Sequence, residues 1–460
     1  MQNKIDKKKL SKVPSINDLI AKYGNLYPSI PYELLKDTIK KTISLVKKEI
    51  ISGSVNGSLD GYINDKMISS LSDKSKNSLY KVINGTGIVL HTGLGRAPIS
   101  RKIINDSIES VEYYSNLEHD VSINKRGDRN SHITYLINSM LGCESSIIVN
   151  NNAAAVLLML NSICEGKEVI ISRGQLVEIG GSFRIPDVIK KSNSEMVEIG
   201  TTNKTHLNDY SNAISSNTGS ILYAHTSNYK IIGFTNEVKI DELIKLSKTK
   251  RRPILIDLGS GELMDYSSLD IANNIPISKY VKMGASAISF SGDKLIGGPQ
   301  CGIICGKKRY IDKMKRNSLY RALRCDKFTI SLMENTLRTI YNYSTVNKYN
   351  FTYSLLNRSN KDLYKMGKKI ISQVESKIIE KYNINLINSK VEAGSGSLPT
   401  KEISSWAIVF NDSAKEISEK LRKIRPSVLG YIRKNKYYID LKAIPQEDSK
   451  ILVSLLNKVL

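Results

Sequence analysis

At 460 residues the chain exceeds what one hydrophobic core ordinarily organises, and an apolar content of 40% is enough for two or three domains. No run of eighteen apolar residues occurs, and the five cysteines, odd in number and without a C-x-x-C pair, indicate neither a disulfide framework nor a zinc site, so no metal is expected. A net charge of +24 points either to a polyanionic partner or to a coding bias, since the chain is rich in Ile, Asn and Ser as well as Lys.

Residues 1–80 are expected to form a separate helical unit. The start, Met1-Gln-Asn-Lys-Ile-Asp-Lys-Lys-Lys9, lacks the apolar core of a secretory signal, so a cytoplasmic location is expected. Ser15-Ile-Asn-Asp18 offers a helix start, and Pro31 to Ile50 carries apolar residues at helical spacing with a lysine-rich polar face. This unit holds 14 Lys against 8 acidic residues, so the positive surplus is shared with the rest of the chain. Ser52 to Asn64, rich in Gly and Ser, reads as a loop.

From Val82 the character changes. Val82 to Pro98 is a short apolar strand embedded in glycine (Gly85, Gly87, Gly93, Gly95), with Arg96 near its end, and it reads either as a tight linker or as an anion-binding turn. Beyond it, β-rich runs end at Val149, Ser172, Ile199, Ala224, Asp257 and Phe290, and several are almost wholly apolar. That pattern belongs to a mainly parallel sheet covered on both faces, with helical stretches such as Asn152–Leu160 and Asp241–Leu246 between the strands. The predicted fold class is therefore α/β, with a large domain over 81–330 and its ligand at the carboxyl ends of the strands. Basic helical stretches follow over Arg309–Arg324, Ser331–Tyr343 and Asn360–Glu380. A C-terminal small α+β domain over 331–460 adds strands at Ser404–Phe410 and Lys436–Leu441 and a last helix from Gln446.

The stretch Ser289-Phe-Ser-Gly-Asp-Lys-Leu-Ile-Gly-Gly-Pro-Gln300 reads as a strand delivering one lysine, Lys294, into a glycine-rich turn. An amine held there among small residues suits Schiff-base chemistry, although a lone Ser-x-x-Lys is also compatible with a surface hairpin. Other strand ends supply what an aldehyde-phosphate cofactor requires. The turn Asn150-Asn-Asn-Ala-Ala154 opens a helix whose free amides suit a phosphate, so Asn151, Asn152, Ala153 and Ala154 are candidates, with Asn152 also readable as a plain helix cap. Ser291 is placed to reach the same phosphate. Asp257, ending the most apolar strand, wants a cationic partner such as a protonated pyridine nitrogen, and Asn228 is a candidate for the ring hydroxyl. Pyridoxal 5′-phosphate is the cofactor this ordered set favours.

Six long motifs make the chain recognisable: Val89-Leu-His-Thr-Gly-Leu-Gly-Arg96, Val149–Leu160, Ser172–Pro186, Gly200-Thr-Thr-Asn-Lys-Thr-His206, His225-Thr-Ser-Asn-Tyr229 and Ser289–Lys294. From about Leu10 to the C-terminus the chain closely resembles the bacterial selenocysteine synthases, the L-seryl-tRNA(Sec) selenium transferases. The resemblance implies a fold-type-I pyridoxal-phosphate enzyme with Lys294 as the cofactor lysine, an N-terminal helical domain that grips tRNA, and a homodecamer built as a ring of dimers. Where that family usually has Asn and Glu, this chain has Gly93 and Gln175, which puts a polar role for those side chains in doubt.

The implied reaction converts seryl-tRNA(Sec) to selenocysteinyl-tRNA(Sec) with selenophosphate, by β-elimination to an aminoacrylyl-tRNA and addition of selenium. Lys294 is the expected base. Arg96, Arg321 and Arg324 are the expected selenophosphate ligands, because guanidinium forks match phosphate oxygens and residues three apart share a helix face. A solvated basic face is the competing reading of the last two. Among the histidines His91, His119 and His225, only His225 is placed to approach the ring, and Cys325 lacks the partners of a nucleophile. Two other functions remain in view. A pyridoxal-phosphate enzyme for a free amino acid is disfavoured by the basic surface, and an RNA-binding scaffold by the complete set around Lys294.

Overall fold

The computed structural model describes residues 7–55, 57–179, 183–226, 229, 231–263, 275–342, 344–394 and 402–460. It divides into two compact units, Met1–Lys81 and Val82–Leu460. Among the described residues no helix is long and apolar enough to cross a membrane.

The first unit is built on three helices, α1 (Ile16–Leu26), α2 (Tyr32–Ile51) and α3 (Leu59–Lys74). The Ser15 hydroxyl starts α1 by accepting the Asp18 amide at 3.2 Å, and Ser58 starts α3 by accepting the Gly61 amide at 3.2 Å. The loop expected over Ser52–Asn64 is therefore cut short at Ser58, because a serine that caps the next turn is also a loop residue by composition. One stripe of each helix is buried: Leu19 and Tyr23, then Ile39, Ile43, Val46 and Ile50, then Ile63, Met67 and Leu71. Lys40, Lys41, Lys47 and Lys48 occupy the exposed side of α2.

The second unit opens with β1 (Val82–Asn84), which pairs in parallel with residues 427–429 near the other end of the chain. Its centre is a seven-stranded sheet. The strands are β2 (Ser145–Val149), β3 (Glu168–Ser172), β4 (Glu195–Ile199), β5 (Thr218–Ala224), β6 (Ile254–Asp257), β7 (Ala287–Ser291) and β8 (Gly302–Gly306), in spatial order β2-β8-β7-β6-β5-β3-β4. All neighbours are parallel except β8, which runs antiparallel to both β7 and β2. The sequence reading assigns no element to Gly302-Ile-Ile-Cys-Gly306. The flanking glycine is required by packing: a Cβ on Gly302 would lie 2.2 Å from the Asn151 carbonyl oxygen.

The near-continuous apolar runs are explained by burial on both faces. Ile148, Ile170, Ile221, Ile254, Ile256, Ile288 and Ile303 pack to one side, against α4 (Ser131–Leu141) and other helices. The intervening Ile147, Val149, Val169, Ile171, Leu222, Leu255 and Ile304 pack to the other, against α5 (Asn152–Cys164) and α6 (Lys308–Arg316). The helical stretch expected over Arg309–Arg324 is two helices, α6 and a short one at Ser318–Ala322, so Arg324 lies outside any helix and does not share a helical face with Arg321. The one expected over Ser331–Tyr343 is α7 (Lys327–Tyr341).

A four-stranded antiparallel sheet closes the chain. Its strands are β9 (Ile384–Glu392), β10 (Glu402–Phe410), β12 (Tyr431–Arg433) and β13 (Lys436–Asp440), in order β9-β10-β13-β12, while β11 (Ser427–Leu429) is the partner of β1. Helices α8 (Asn360–Ile371), α9 (Ala414–Lys423) and α10 (Ser449–Val459) share a separate core with this sheet, including Leu363, Ile370, Phe410, Ile417, Ile439 and Leu452.

Candidate active site

The carboxyl ends of β2, β6 and β7 bring the sequence-predicted residues together. Strand β7 ends at Ser291, and Gly292 then turns the chain, donating its amide to the Cys301 carbonyl at 2.9 Å while Gly297 donates to the Lys294 carbonyl at 2.9 Å. Only glycine fits at 292, where a Cβ would approach Cys301 Sγ to 2.4 Å and Met333 Cε to 2.5 Å. Lys294 is thus held in a closed turn and is 6% exposed. Its amine has no hydrogen-bond or ion-pair partner among the described residues. Burial, and then the Arg96 guanidinium, push the amine below the ordinary lysine value, while Asp257 and Asp293 pull the other way. The arrangement favours a neutral, nucleophilic amine.

Asp257 pairs across the sheet with Ser289 of β7, two residues before Ser291. Three donors converge on its Oδ1: Asn152 Nδ2 at 2.8 Å, the Gly259 amide at 3.1 Å and the Ser289 hydroxyl at 3.2 Å. Asp257 is a buried residue, and among the described residues none donates to its Oδ2, which leaves that oxygen open to a cation.

Helix α5 starts beside it. Asn151 is the cap, its Oδ1 accepting the Ala154 amide at 2.8 Å, so the alternative reading of Asn152 as cap is corrected: the Asn152 side chain turns instead to Asp257. Capping occupies the Ala154 amide and leaves those of Asn152 and Ala153 at the first turn, where the helix dipole favours an anion. The Ser291 hydroxyl has no partner among the described residues, and buried Asn152 Oδ1 and His91 Nδ1 are likewise unpaired. Asn228 lies outside the described residues.

Arg96 reaches this turn from 197 residues away in sequence, its Nη1 bonding Asp293 Oδ2 at 2.7 Å. It adopts φ +59° directly after Gly95 at +89°, and the Ala97 amide donates to the Asp293 carbonyl at 3.3 Å, so the glycine-rich loop docks on the residue beside Lys294. Gly93 has no positive φ, and a Cβ there would sit 3.4 Å from the His91 ring, so the loop imposes no strict demand for glycine at that position.

The Leu323 carbonyl accepts the Asn150 amide at 2.9 Å, which ties the segment carrying Arg321 and Arg324 to the same strand end. Arg321 is exposed and makes no hydrogen bond among the described residues. Arg324 Nη1 bonds Glu118 Oε1 at 2.9 Å, where Arg129 also binds at 2.6 Å, and Arg126 approaches Oε2 at 3.3 Å. Arg129 first, with Arg324 and Arg126, holds the Glu118 carboxyl below its usual range despite burial. Arg324 Nε is buried without a partner. Glu118, Arg129 and Asp293 escaped the sequence reading. Only Asp293 carried a signal there, its position next to Lys294.

The His225 amide donates to the Asp257 carbonyl at 2.8 Å, and burial pushes its imidazole below the ordinary value against the pull of Glu237 and Asp257. His119 is exposed and bonds Asn124 at 3.0 Å. Gln175 has a definite polar role: its Oε1 accepts the Ala224 amide at 3.2 Å and its Nε2 donates to Glu237 at 3.0 Å, bridging the end of β5 to the following loop. Burial raises the Cys325 thiol to about 12, which removes it as a nucleophile.

A family model described as "SelA: L-seryl-tRNA selenium transferase" matches residues 82–445. The chain belongs to this family. An L-seryl-tRNA(Sec) selenium transferase of Clostridium botulinum (strain Okra / Type B1) is 38% identical over 462 residues, covering 99% of this chain and 100% of that one. One from Desulfotalea psychrophila is 37% identical over 452 residues, covering 97% of each. Among solved structures, D-glucosaminate-6-phosphate ammonia-lyase matches with a TM-score of 0.60 at 17% identity, over 83% of this chain and 96% of that one, a likeness of fold. The architecture is the fold-type-I one expected from the sequence. Its strand-end cup fits pyridoxal 5′-phosphate: a partnerless buried amine after β7, an open carboxylate oxygen at the end of β6 and free amides at the helix start after β2, which the Asn152–Asp257 bond ties to β6.

Proposed function

We propose that the chain converts seryl-tRNA(Sec) to selenocysteinyl-tRNA(Sec), using pyridoxal 5′-phosphate and taking selenium from selenophosphate. The observation that carries this reading is the buried Lys294 amine, without a hydrogen-bond or ion-pair partner among the described residues and close enough to Asp257 to feel its charge. In this reading Lys294 would hold the cofactor through its aldehyde and Asp257 would pair with its ring nitrogen. Asn151, Asn152, Ala153, Ala154 and Ser291 surround the phosphate, with Asn151 acting mainly as the cap that orients the amides, and Asn228 meets the ring hydroxyl. When bound, the cofactor supplies an electron sink that acidifies the seryl Cα proton.

Once the seryl amine has displaced it from the aldehyde carbon, the Lys294 amine, whose burial disfavours the charged form, takes that proton. Water is lost across Cα and Cβ, the selenium of selenophosphate adds to Cβ as Cα regains a proton, and water cleaves the Se–P bond to release phosphate. Arg96, Arg321 and Arg324 are the proposed selenophosphate ligands. Arg96 and Arg324 are each steadied by a carboxylate, Asp293 and Glu118, while Arg321 is left to move. A guanidinium held at one edge keeps its remaining N–H groups pre-aimed, which lowers the ordering cost of binding a phosphate.

The helical unit, with four exposed lysines on α2, is the proposed grip on tRNA. The domain limits 1–80, 81–330 and 331–460, a homo-oligomer of decamer size and a cytoplasmic setting belong to the same proposal. The decisive experiment incubates purified, cofactor-loaded protein with seryl-tRNA(Sec) and selenophosphate. Formation of selenocysteinyl-tRNA supports the assignment. Turnover of free serine with no reaction of the charged tRNA would replace it with the free amino-acid reading.

A further inference from the structure

A groove of about 760 Å³ lies in the C-terminal part of the second unit, between the short helices Val346–Tyr349 and Phe351–Leu356, helix α8 and the start of α10. It shares no residue with the Lys294 site. Lys348, Arg358, Lys365, Lys369 and Lys450 line it, against only two carboxylates, Asp362 and Glu447. None of the four lysine amines makes a hydrogen bond or ion pair among the described residues. Some lysines on other helices are neutralised one turn away, as in Lys41–Asp37, Lys102–Asp106 and Lys420–Glu416, whereas those of the groove have no such partner.

The groove also holds a pre-positioned guanidinium. Arg358 Nη1 donates to the Ile444 carbonyl at 2.7 Å and the Leu441 carbonyl at 3.4 Å, and Lys442 Nζ donates to the Arg358 carbonyl at 2.8 Å. One edge is pinned by uncharged oxygens, and Nε and Nη2 have no partner among the described residues. A fixed fork with a free edge matches two phosphate oxygens.

The positive charge does not stop at the groove. Lys361, Lys365 and Lys368 are exposed along one face of α8, a rise of about 10 Å. Among them stands Tyr364, 41% exposed, backed by Trp406 at 4.8 Å between ring centroids, with the Lys368 amine 5.7 Å from the Tyr364 ring centre. A free phosphate compound needs one enclosed pocket. A row of unpaired cations running out along a helix, with an exposed aromatic ring among them, suits a chain of phosphates carrying bases.

We propose that this groove and the α8 face seat the phosphate backbone of the aminoacyl-tRNA, as an RNA contact additional to the helical unit. The proposal rests on the tRNA-substrate reading above. It is tested in full-length, cofactor-loaded protein by titrating a seryl-tRNA(Sec) transcript across a salt series, comparing wild type with Lys365→Gln/Lys369→Gln and with Lys365→Arg/Lys369→Arg. Both lysines are exposed, so the fold is not at stake, and an unchanged melting temperature checks this. The Gln pair is expected to weaken binding on the order of tenfold and to lower the salt slope by about 1.5, with kcat at saturating tRNA unchanged and the Arg pair restoring both.

Wild-type affinity and slope in the Gln pair overturn the proposal. Loss of inorganic phosphate binding with tRNA affinity intact also overturns it, by assigning the groove to a small phosphate compound. A wild-type protein that binds no tRNA removes the substrate reading itself, a result distinct from either.

Discussion

Replacing Asp257 with Asn tests the electron-sink half of the site with the smallest steric change. The three donors on Oδ1, at 2.8, 3.1 and 3.2 Å, can all be kept by the Asn carbonyl oxygen. Each bond weakens from a charge-assisted to a neutral one, by about 1 kcal/mol, while relief from burying a charge offsets much of the loss. The fold should therefore survive, with a net change within about 2 kcal/mol. At Oδ2 the substitution places an NH₂ donor where a protonated ring nitrogen would need an acceptor. An opposite-charge pair about 4 Å apart at an effective dielectric near 20 interacts by roughly 4 kcal/mol. If most of that stabilisation acts in the proton-abstraction step, the rate falls on the order of 10³-fold. Single-turnover conversion of seryl-tRNA(Sec), with a parallel spectrophotometric titration of the cofactor, separates weaker binding from slower chemistry. A variant that loads cofactor and turns over within about threefold of wild type would refute the pairing of Asp257 with the ring.

Three further outcomes are expected. Lys294→Ala should lose the visible absorption band of the loaded protein together with all turnover, and activity near wild type would reject Lys294 as the cofactor lysine. Arg321→Ala should raise the selenophosphate requirement by roughly tenfold while leaving seryl-tRNA binding unchanged, since this arginine supports no other described group; equal loss of both would reject the selective role. Burial, with Arg358 next, lowers the Lys442 amine from 10.5 to about 8, so the folded chain releases this proton before the unfolded chain does. The unfolded state then binds more protons between about pH 8 and 10.5, and the Lys442 contribution to stability should rise with pH across that window. Denaturant midpoints compared with Lys442→Met over that range check the sign, and parallel curves for the two proteins would rule the effect out.

The six motifs made the parallel strand ends, the glycine turn around Lys294 and the helix start after Asn150 legible in sequence. Each is a local pattern: apolar runs set strands, glycines mark where a Cβ would collide, and a polar residue before small ones opens a helix. Domain-scale reading was less sharp where composition misleads. Gly302–Gly306, a short run between glycines just after the Lys294 turn, has no element assigned from sequence, yet it is the antiparallel strand that fills the sheet between β2 and β7. Residues 82–84 read as the entry to the large domain, yet they pair with 427–429.

The chain alone determined which residues end each strand and hence which are candidates to carry chemistry, because those signals depend on spacings of two to four residues. Only the tertiary structure decided how they are shared. It assigned Asn152 to Asp257, Arg96 to Asp293, and Arg324 with Arg129 to Glu118, pairings that span 105, 197, 206 and 11 positions. Such contacts are set by how layers pack over buried strands, and no short-range periodicity encodes them.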